Sequence, residues 1–297
     1  MKKILIIGSE GFIGSHLVSY YTKLGHVVCK VDILAKTENG YIQVDKDNPD
    51  FHQVLSNFRA DYCLNCSGAA SVPYSFEQPL NDFKLNVYNV VKLLDAIRVY
   101  SPDCKFVNFS SAAVYGNPKT IPISEDFTKS PISPYGFHKS MVENIMEEYN
   151  KYFSLRTCTL RLFSAYGNGL RKQIMFDLYN KFISNTEVKL FGTGKETRDY
   201  IHIDDICNVV ELILNNSNFE NEIINVANGE EIELNTIVEI FKKKLNNSKK
   251  ILYSGNVREG DPSRWQADIS KIKQWGYKQT ITLEEGIERY ISWIKSE

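Results

Sequence analysis

An apolar strand that breaks into a three-glycine turn and continues as a helix constrains this chain more than any other feature. Ile4-Leu5-Ile6-Ile7 is a short, unbroken apolar run, the composition of a strand buried on both faces. It passes directly into Gly8-Ser9-Glu10-Gly11-Phe12-Ile13-Gly14, and residues 15–24 continue with amphipathic helical spacing. The glycines permit the turn itself, the close approach of a bound group to the backbone, and tight packing of helix on strand. Phe12 and Ile13 lie where the helix N-terminus, with its unpaired N–H groups, faces an anion such as a pyrophosphate. The competing interpretation is a turn that only caps a helix.

Two further signals favour the ligand. The second apolar run, Val27-Val28-Cys29-Lys30-Val31, ends in Asp32, eighteen residues past Gly14. An acid there can accept the hydroxyls of an adenosine ribose and repels a 2′-phosphate, so NAD is favoured over NADP. Downstream, Ser133-Pro134-Tyr135-Gly136-Phe137-His138-Lys139 opens another helix, with Ser133 as its cap and Pro134 at its first position. Tyr135 and Lys139 then share one helix face, and the spacing predicts that the ammonium favours the phenolate. A free tyrosine, with a pKa of about 10, is no base near neutrality; a cationic neighbour and an oxidised nicotinamide make it one. Ser111, in Phe109-Ser110-Ser111-Ala112-Ala113, offers a hydroxyl to hold the substrate oxygen. Together Ser111, Tyr135 and Lys139 specify hydride chemistry on an alcohol.

In these motifs the chain resembles the extended short-chain dehydrogenase/reductase family, the epimerases, dehydratases and reductases of nucleotide sugars, including UDP-glucose 4-epimerase-like enzymes. Phe191-Gly192-Thr193-Gly194, Arg198-Asp199-Tyr200-Ile201-His202-Ile203-Asp204-Asp205 and Arg258-Glu259-Gly260-Asp261-Pro262 extend the likeness over nearly the whole chain. The resemblance implies an α/β fold, a Rossmann-type doubly wound parallel sheet with a smaller mixed α/β substrate lobe. Residues 1–163 and 198–226 would form the NAD domain, 164–197 and 227–297 the nucleotide-sugar lobe, with the substrate in a cleft between them. Asp45 and Lys46 would lie near adenine, and Gly68 and Ala69 near the dinucleotide. Arg198 and Arg258 match positions on the diphosphate, Phe191 one near the base, and Asp261 lies in the same closing motif. Ser164 stands where the family often has Asn, which leaves a shorter hydroxyl for that contact. Arg171 and Lys172 are additional cations nearby. Helices over residues 80–100 and 134–152 would pair two chains in a homodimer.

The two residues after Ser111 narrow the reaction. Dehydratases place an acid there to move protons at a neighbouring carbon, and this chain has Ala112 and Ala113. The reading is therefore an NAD-dependent nucleotide-sugar epimerase in sugar-nucleotide or surface-carbohydrate metabolism. A nucleotide-ketosugar reductase or dehydrogenase is the alternative, and a non-catalytic dinucleotide sensor a third.

The rest of the sequence excludes other classes. A net charge of −1 gives no global attraction to nucleic acid, so any anion site must be local. The apolar start stops at Gly8 without a cleavage pattern, and no run approaches membrane-spanning length, so a cytoplasmic protein with no membrane partner is expected. Cys63 and Cys66 form a Cys-x-x-Cys with no second pair, which reads as reduced strand thiols, and the five histidines show no ligand spacing; no metal is expected.

Overall fold

The computed structural model describes residues 1–184, 186–256 and 259–297. In chain order the first half runs β1 (Lys3–Ile7), α1 (Phe12–Lys23), β2 (Val27–Asp32), β3 (Tyr41–Gln43), α2 (Phe51–Asn57), β4 (Tyr62–Asn65), α3 (Val72–Glu77), α4 (Pro79–Phe83), a π-helical segment over Lys84–Tyr88, α5 (Asn89–Tyr100), β5 (Lys105–Ser111) and α6 (Pro134–Phe153). The second half adds β6 (Arg156–Leu162), β7 (Ser164–Tyr166), α7 (Gln173–Ser184), β8 (Glu187–Leu190), β9 (Thr197–Arg198), β10 (Tyr200–His202), α8 (Ile203–Asn216), β11 (Glu220–Val226), β12 (Ile232–Glu233), α9 (Leu234–Lys244), β13 (Lys250–Tyr253), α10 (Ser270–Gln274) and α11 (Leu283–Ser296).

Seven strands form the main sheet, in the order β11-β6-β5-β4-β1-β2-β3, and the pairings from β5 across to β3 are parallel. The Rossmann-type α/β fold is thus present. Residues 4–7 of β1 are buried. Leu5 and Ile7 join a core with Val54 and Leu55 of α2, Leu94 and Ile97 of α5, and Val142 and Met146 of α6. Ile4 and Ile6 are also buried and, by strand alternation, face the other side. Strand order reverses between β1 and β4, and the crevice beyond their carboxyl ends is where open α/β sheets bind ligands.

By compactness the chain divides into two units, residues 1–115, 129–161 and 214–224, and residues 116–128, 162–213 and 225–297. The second contains three two-stranded pairings, β7 with β10, β9 with β12 and β8 with β13. Phe182 and Phe241 stack at 6.4 Å between ring centroids inside it. Asp199 ties its loops together, accepting backbone N–H groups from Asn228, Gly229 and Ala267 at 2.9 to 3.0 Å.

Candidate active site

The glycine turn has the shape the sequence predicts. Gly8 sits at φ +78°, where a Cβ would lie 2.8 Å from the backbone nitrogen of Ser67 after β4. A Cβ on Gly14 would reach 2.0 Å from the Gly8 carbonyl oxygen, so only glycine lets α1 begin against the turn. Gly11 caps α1 without a side chain, leaving the first-turn N–H groups of Phe12, Ile13 and Gly14 for a ligand. Asp32, at the end of β2, accepts from the backbone nitrogens of Glu10 at 2.9 Å and Ile33 at 2.7 Å. Its carboxylate is thereby fixed beside the turn, with lone pairs left for hydroxyl donors. This cradle fits the pyrophosphate and ribose of a dinucleotide.

A second observation supports the fit. Asn86, in the π-helical segment, is buried with neither side-chain amide atom hydrogen-bonded among the described residues. A Cβ on Gly68, at φ +113°, would lie 2.6 Å from Asn86 Oδ1, so the amide faces the turn where the switch-point crevice opens. An unsatisfied buried amide requires a partner, and a bound cofactor or water is the chemistry that supplies one. Ala69 follows Gly68 in this turn. Asp45 and Lys46 lie exposed beyond β3, and Asp45 Oδ1 accepts from the nitrogens of Asp47 and Asn48 at 2.8 and 2.7 Å.

Ser111 ends β5, and Tyr135 and Lys139 stand on the first turns of α6. Ser133 accepts from the Gly136 nitrogen at 3.1 Å, which starts the helix as the sequence predicts. Gly136 matters for a different reason: a Cβ there would lie 2.6 Å from the Ala113 carbonyl oxygen. Its absence seats α6 against the turn after Ser111 and brings the two hydroxyls together, so that Ser111 hydrogen-bonds Tyr135. Lys139 Nζ lies 5.7 Å from the Tyr135 ring centroid and donates to the Phe109 carbonyl at 3.0 Å.

The electrostatics correct one expectation. Burial pushes the Tyr135 hydroxyl up to about 12; the Ser111 hydrogen bond opposes this, and the Asp82 carboxylate adds to it. Burial pushes the Lys139 ammonium down to about 8, against the upward pull of Asp82, Glu143 and Cys66. Desolvation therefore outweighs the lysine, and the protein alone holds a neutral phenol.

Several supporting groups were silent in the sequence. Glu143 and Arg161 form a buried bidentate pair at 3.1 and 2.8 Å, joined by the Ser110 hydroxyl at 2.8 Å and, through Arg161, by the Tyr115 hydroxyl at 2.9 Å. This network ties together β5, α6 and β6, of which β5 ends in Ser111 and α6 carries Tyr135 and Lys139. Asp82 of α4, fully buried, pairs with His138 of α6 at 2.6 Å. Buried polar residues inside a helical pattern read as its solvated face, so spacing gives no sign of them.

The nucleotide-sugar candidates fall in the second compact unit. Ser164 opens β7 and donates its backbone N–H to the Asp199 carbonyl at 2.9 Å. Phe191 is exposed at the turn after β8. Arg198 donates to the Thr197 carbonyl at 2.8 Å and lies over the Trp265 ring at 5.3 Å. Asp261 is half-buried, and Arg258 lies outside the described residues. Arg171 is engaged by Glu297 and lies 5.2 Å from the Trp293 ring centroid; burial pushes the Lys172 ammonium down. All six cysteines are free thiols, and burial pushes Cys63 well up. His202 accepts from the Asp204 nitrogen at 3.2 Å and meets the Tyr166 ring edge-on. Among the described residues no cluster of three potential metal ligands occurs, and no helix is long and apolar enough to cross a membrane.

A profile of the NAD dependent epimerase/dehydratase family matches residues 4–227. An uncharacterized protein of Methanocaldococcus jannaschii is 30% identical, with 99% of this chain and 96% of the relative aligned. The UDP-glucuronate 4-epimerase of Thermodesulfobacterium geofontis is 28% identical over 99% of this chain and 97% of its own. Among solved structures, UDP-glucuronic acid 4-epimerase from Bacillus cereus, in complex with UDP-glucuronic acid and NAD, matches with a TM-score of 0.90 at 26% identity, covering 99% of both chains.

Proposed function

The chain belongs to the NAD dependent epimerase/dehydratase family, and from that premise we propose that it is an NAD-dependent nucleotide-sugar 4-epimerase acting on a UDP-sugar. The observation that carries the reading is the hydrogen bond of Ser111 to Tyr135, with Lys139 beside the Tyr135 ring, in the same compact unit as the glycine turn of Gly8, Gly11 and Gly14 and the carboxylate of Asp32. Phe12, Ile13, Gly68, Ala69 and Asn86 would hold the cofactor with them, and Asp45 and Lys46 would reach its adenine end. NAD, when bound, supplies an acceptor for the hydride of C4 that can also give it back.

The protein's own residues account for the rest. Ser111 donates to the C4 oxygen and orients it. Tyr135, whose ionisation the positive charge of a bound NAD would favour, takes the hydroxyl proton as the phenolate and later returns it. Lys139 steadies the couple from the same helix face, and its ammonium adds to the cationic field that burial alone opposes. Oxidation to a keto-sugar and reduction of its other face leave no net change in the cofactor. The turn after Ser111 holds the buried Ala112 and Ala113, so no acid stands there for the proton transfers of a dehydratase. Ser164, Phe191, Arg198, Arg258 and Asp261 are assigned to the nucleotide diphosphate and base, with guanidinium groups suited to paired phosphate oxygens.

The assembly proposed is a homodimer through residues 80–100 and 134–152. Leu80, Phe137 and Tyr152, with 67%, 53% and 69% of their surface exposed, give these helices the apolar face such a contact needs. We assign the protein to sugar-nucleotide metabolism in the cytoplasm. The test is to denature the purified protein and identify what dinucleotide it releases by liquid chromatography with mass spectrometry. Near-stoichiometric NAD is expected of an enzyme that recycles its hydride. An empty site that takes up free NADH or NADPH would indicate a reductase or dehydrogenase instead.

A further inference from the structure

We propose that Asp82 and His138 form a positioning pair that sets the charge state of the Tyr135–Lys139 couple, the Asp82 carboxylate keeping Lys139 an ammonium in a site whose burial favours the free amine. The inference rests on the epimerase reading for its purpose, and on geometry for its existence.

Asp82 lies on the short helix α4 with its side chain wholly removed from solvent, and His138 Nδ1 meets its Oδ2 at 2.6 Å. A carboxylate accepts only, so the imidazole is the donor. The other oxygen, Oδ1, is buried with no hydrogen-bond partner among the described residues. A carboxylate placed this way is costly, and one hydrogen bond from a single imidazole does not satisfy it. Its field therefore acts on the buried titratable groups beside His138. On α6, Tyr135 stands three residues before His138 on the same helix face and Lys139 directly follows it, both side chains buried, and the charge of Asp82 raises both. His138 is in turn held by the Phe83 ring, edge-on at 5.6 Å, and its side chain keeps 12% of its surface exposed.

The remaining groups around the pair do not duplicate its action. On the elements packed against it, Glu77 of α3 and Lys84 and Tyr88 of the π-helical segment are exposed. Turned inward are Tyr74 of α3, which is bonded to Asn81, and Glu143 of α6, which is committed to Arg161. Cys66, at the end of β4, acts on Lys139 less than Asp82 or Glu143 does. Asp82 is thus the inward carboxylate without a guanidinium partner. Its removal should let both Tyr135 and Lys139 give up their protons at lower pH.

The experiment is an ultraviolet tyrosinate titration of Tyr135 with NAD bound, obtained as the difference between each protein and the same protein carrying Tyr135→Phe. Asp82→Asn is expected to lower the midpoint by about one pH unit, the effect of removing a neighbouring negative charge. The pH profile of turnover should move in the same direction on both limbs, which a merely structural role would not cause. Where Asp82→Asn does not fold, as judged by far-ultraviolet circular dichroism, the double variant Asp82→Leu/His138→Leu replaces both partners by apolar groups, a change that buried pairs tolerate. It should show the same downward shift. An unmoved or raised midpoint in either folded variant overturns the proposal. The titration needs no nucleotide sugar, so a shifted midpoint without turnover on any sugar would refute the epimerase reading and leave the pair standing.

Discussion

Tyr135 illustrates how a residue legible in sequence acquires its properties only from its surroundings. The spacing of Tyr135 and Lys139 and the cap at Ser133 were sufficient to place both side chains on one face of α6, and Ser111 was found from its neighbours. Burial was not legible, and it reverses the expected sign: the phenol is pushed up to about 12 and the ammonium down to about 8. Tyr135→Phe should lower turnover by about 10²- to 10⁴-fold, the usual span for a lost general base, while leaving NAD retention within twofold or so of the parent. Unchanged activity would contradict the assignment. Lys139 gives a stability signature as well. Its pKa falls from 10.5 in the unfolded chain to about 8 in the fold, so between these values the unfolded chain holds the extra proton. Its contribution is therefore present above the higher value and lost as pH falls through the lower one. Relative to Lys139→Met, the unfolding free energy of the parent should climb across that window by up to about 3 kcal/mol. A flat difference between the two denaturation series would show that the ammonium is not desolvated.

At the level of elements, the strand, turn and helix at the start of the chain were readable because every local signal agrees: an apolar run, three glycines, and amphipathic spacing. Gly14→Ala tests the turn. A Cβ 2.0 Å from the Gly8 carbonyl cannot be accommodated without moving α1 or the turn, and NAD affinity should fall by more than about tenfold, roughly 1.4 kcal/mol. Isothermal titration calorimetry on the cofactor-free protein measures it, and an unchanged Kd would rule out the turn as the pyrophosphate cradle. The segment over residues 79–100 was less legible. Phe83, Val87, Val90, Leu94 and Ile97 read as one continuous stripe, whereas the chain forms α4, a π-helical segment and α5, and Phe83 keeps 37% of its surface exposed. The widened turn carries the buried Asn86, and such insertions recur at functional sites. Apolar periodicity cannot report it, because it counts only the residues that are apolar. Behind these elements, Glu143→Ala would leave the Arg161 guanidinium buried without its carboxylate. A loss of about 3–5 kcal/mol in chemical denaturation is expected.

For the whole molecule, strand-like runs alternate with helix-like runs along the sequence, a pattern that fits the parallel sheet, since a βαβ chain has few ways to fold. The place of residues 116–128 in the second compact unit was not readable, because it depends on contacts remote in sequence. Residues 116–128 join the second unit through the Ile123–Ala267 bridge and through Asn225, whose side-chain amide donates to the Ile123 and Asp268 carbonyls at 2.9 and 3.2 Å. The homodimer is a prediction at this scale. Leu80→Glu/Phe137→Glu places charge on the exposed apolar face and should convert a dimer to a monomer in multi-angle light scattering, where an unchanged mass would exclude that face as the interface. The central claim, that C4 is inverted by a hydride that leaves and returns within one active site, is tested most directly with UDP-sugars deuterated at C4. UDP-glucose, UDP-glucuronate and UDP-N-acetylglucosamine would each be incubated with the protein as purified, without added cofactor, and the products read by NMR. The expected product is the C4 epimer of at least one of them, formed over many turnovers, with the deuterium still at C4. Failure to form any epimer, or a product in which C4 has lost its deuterium to the free cofactor pool, would contradict it.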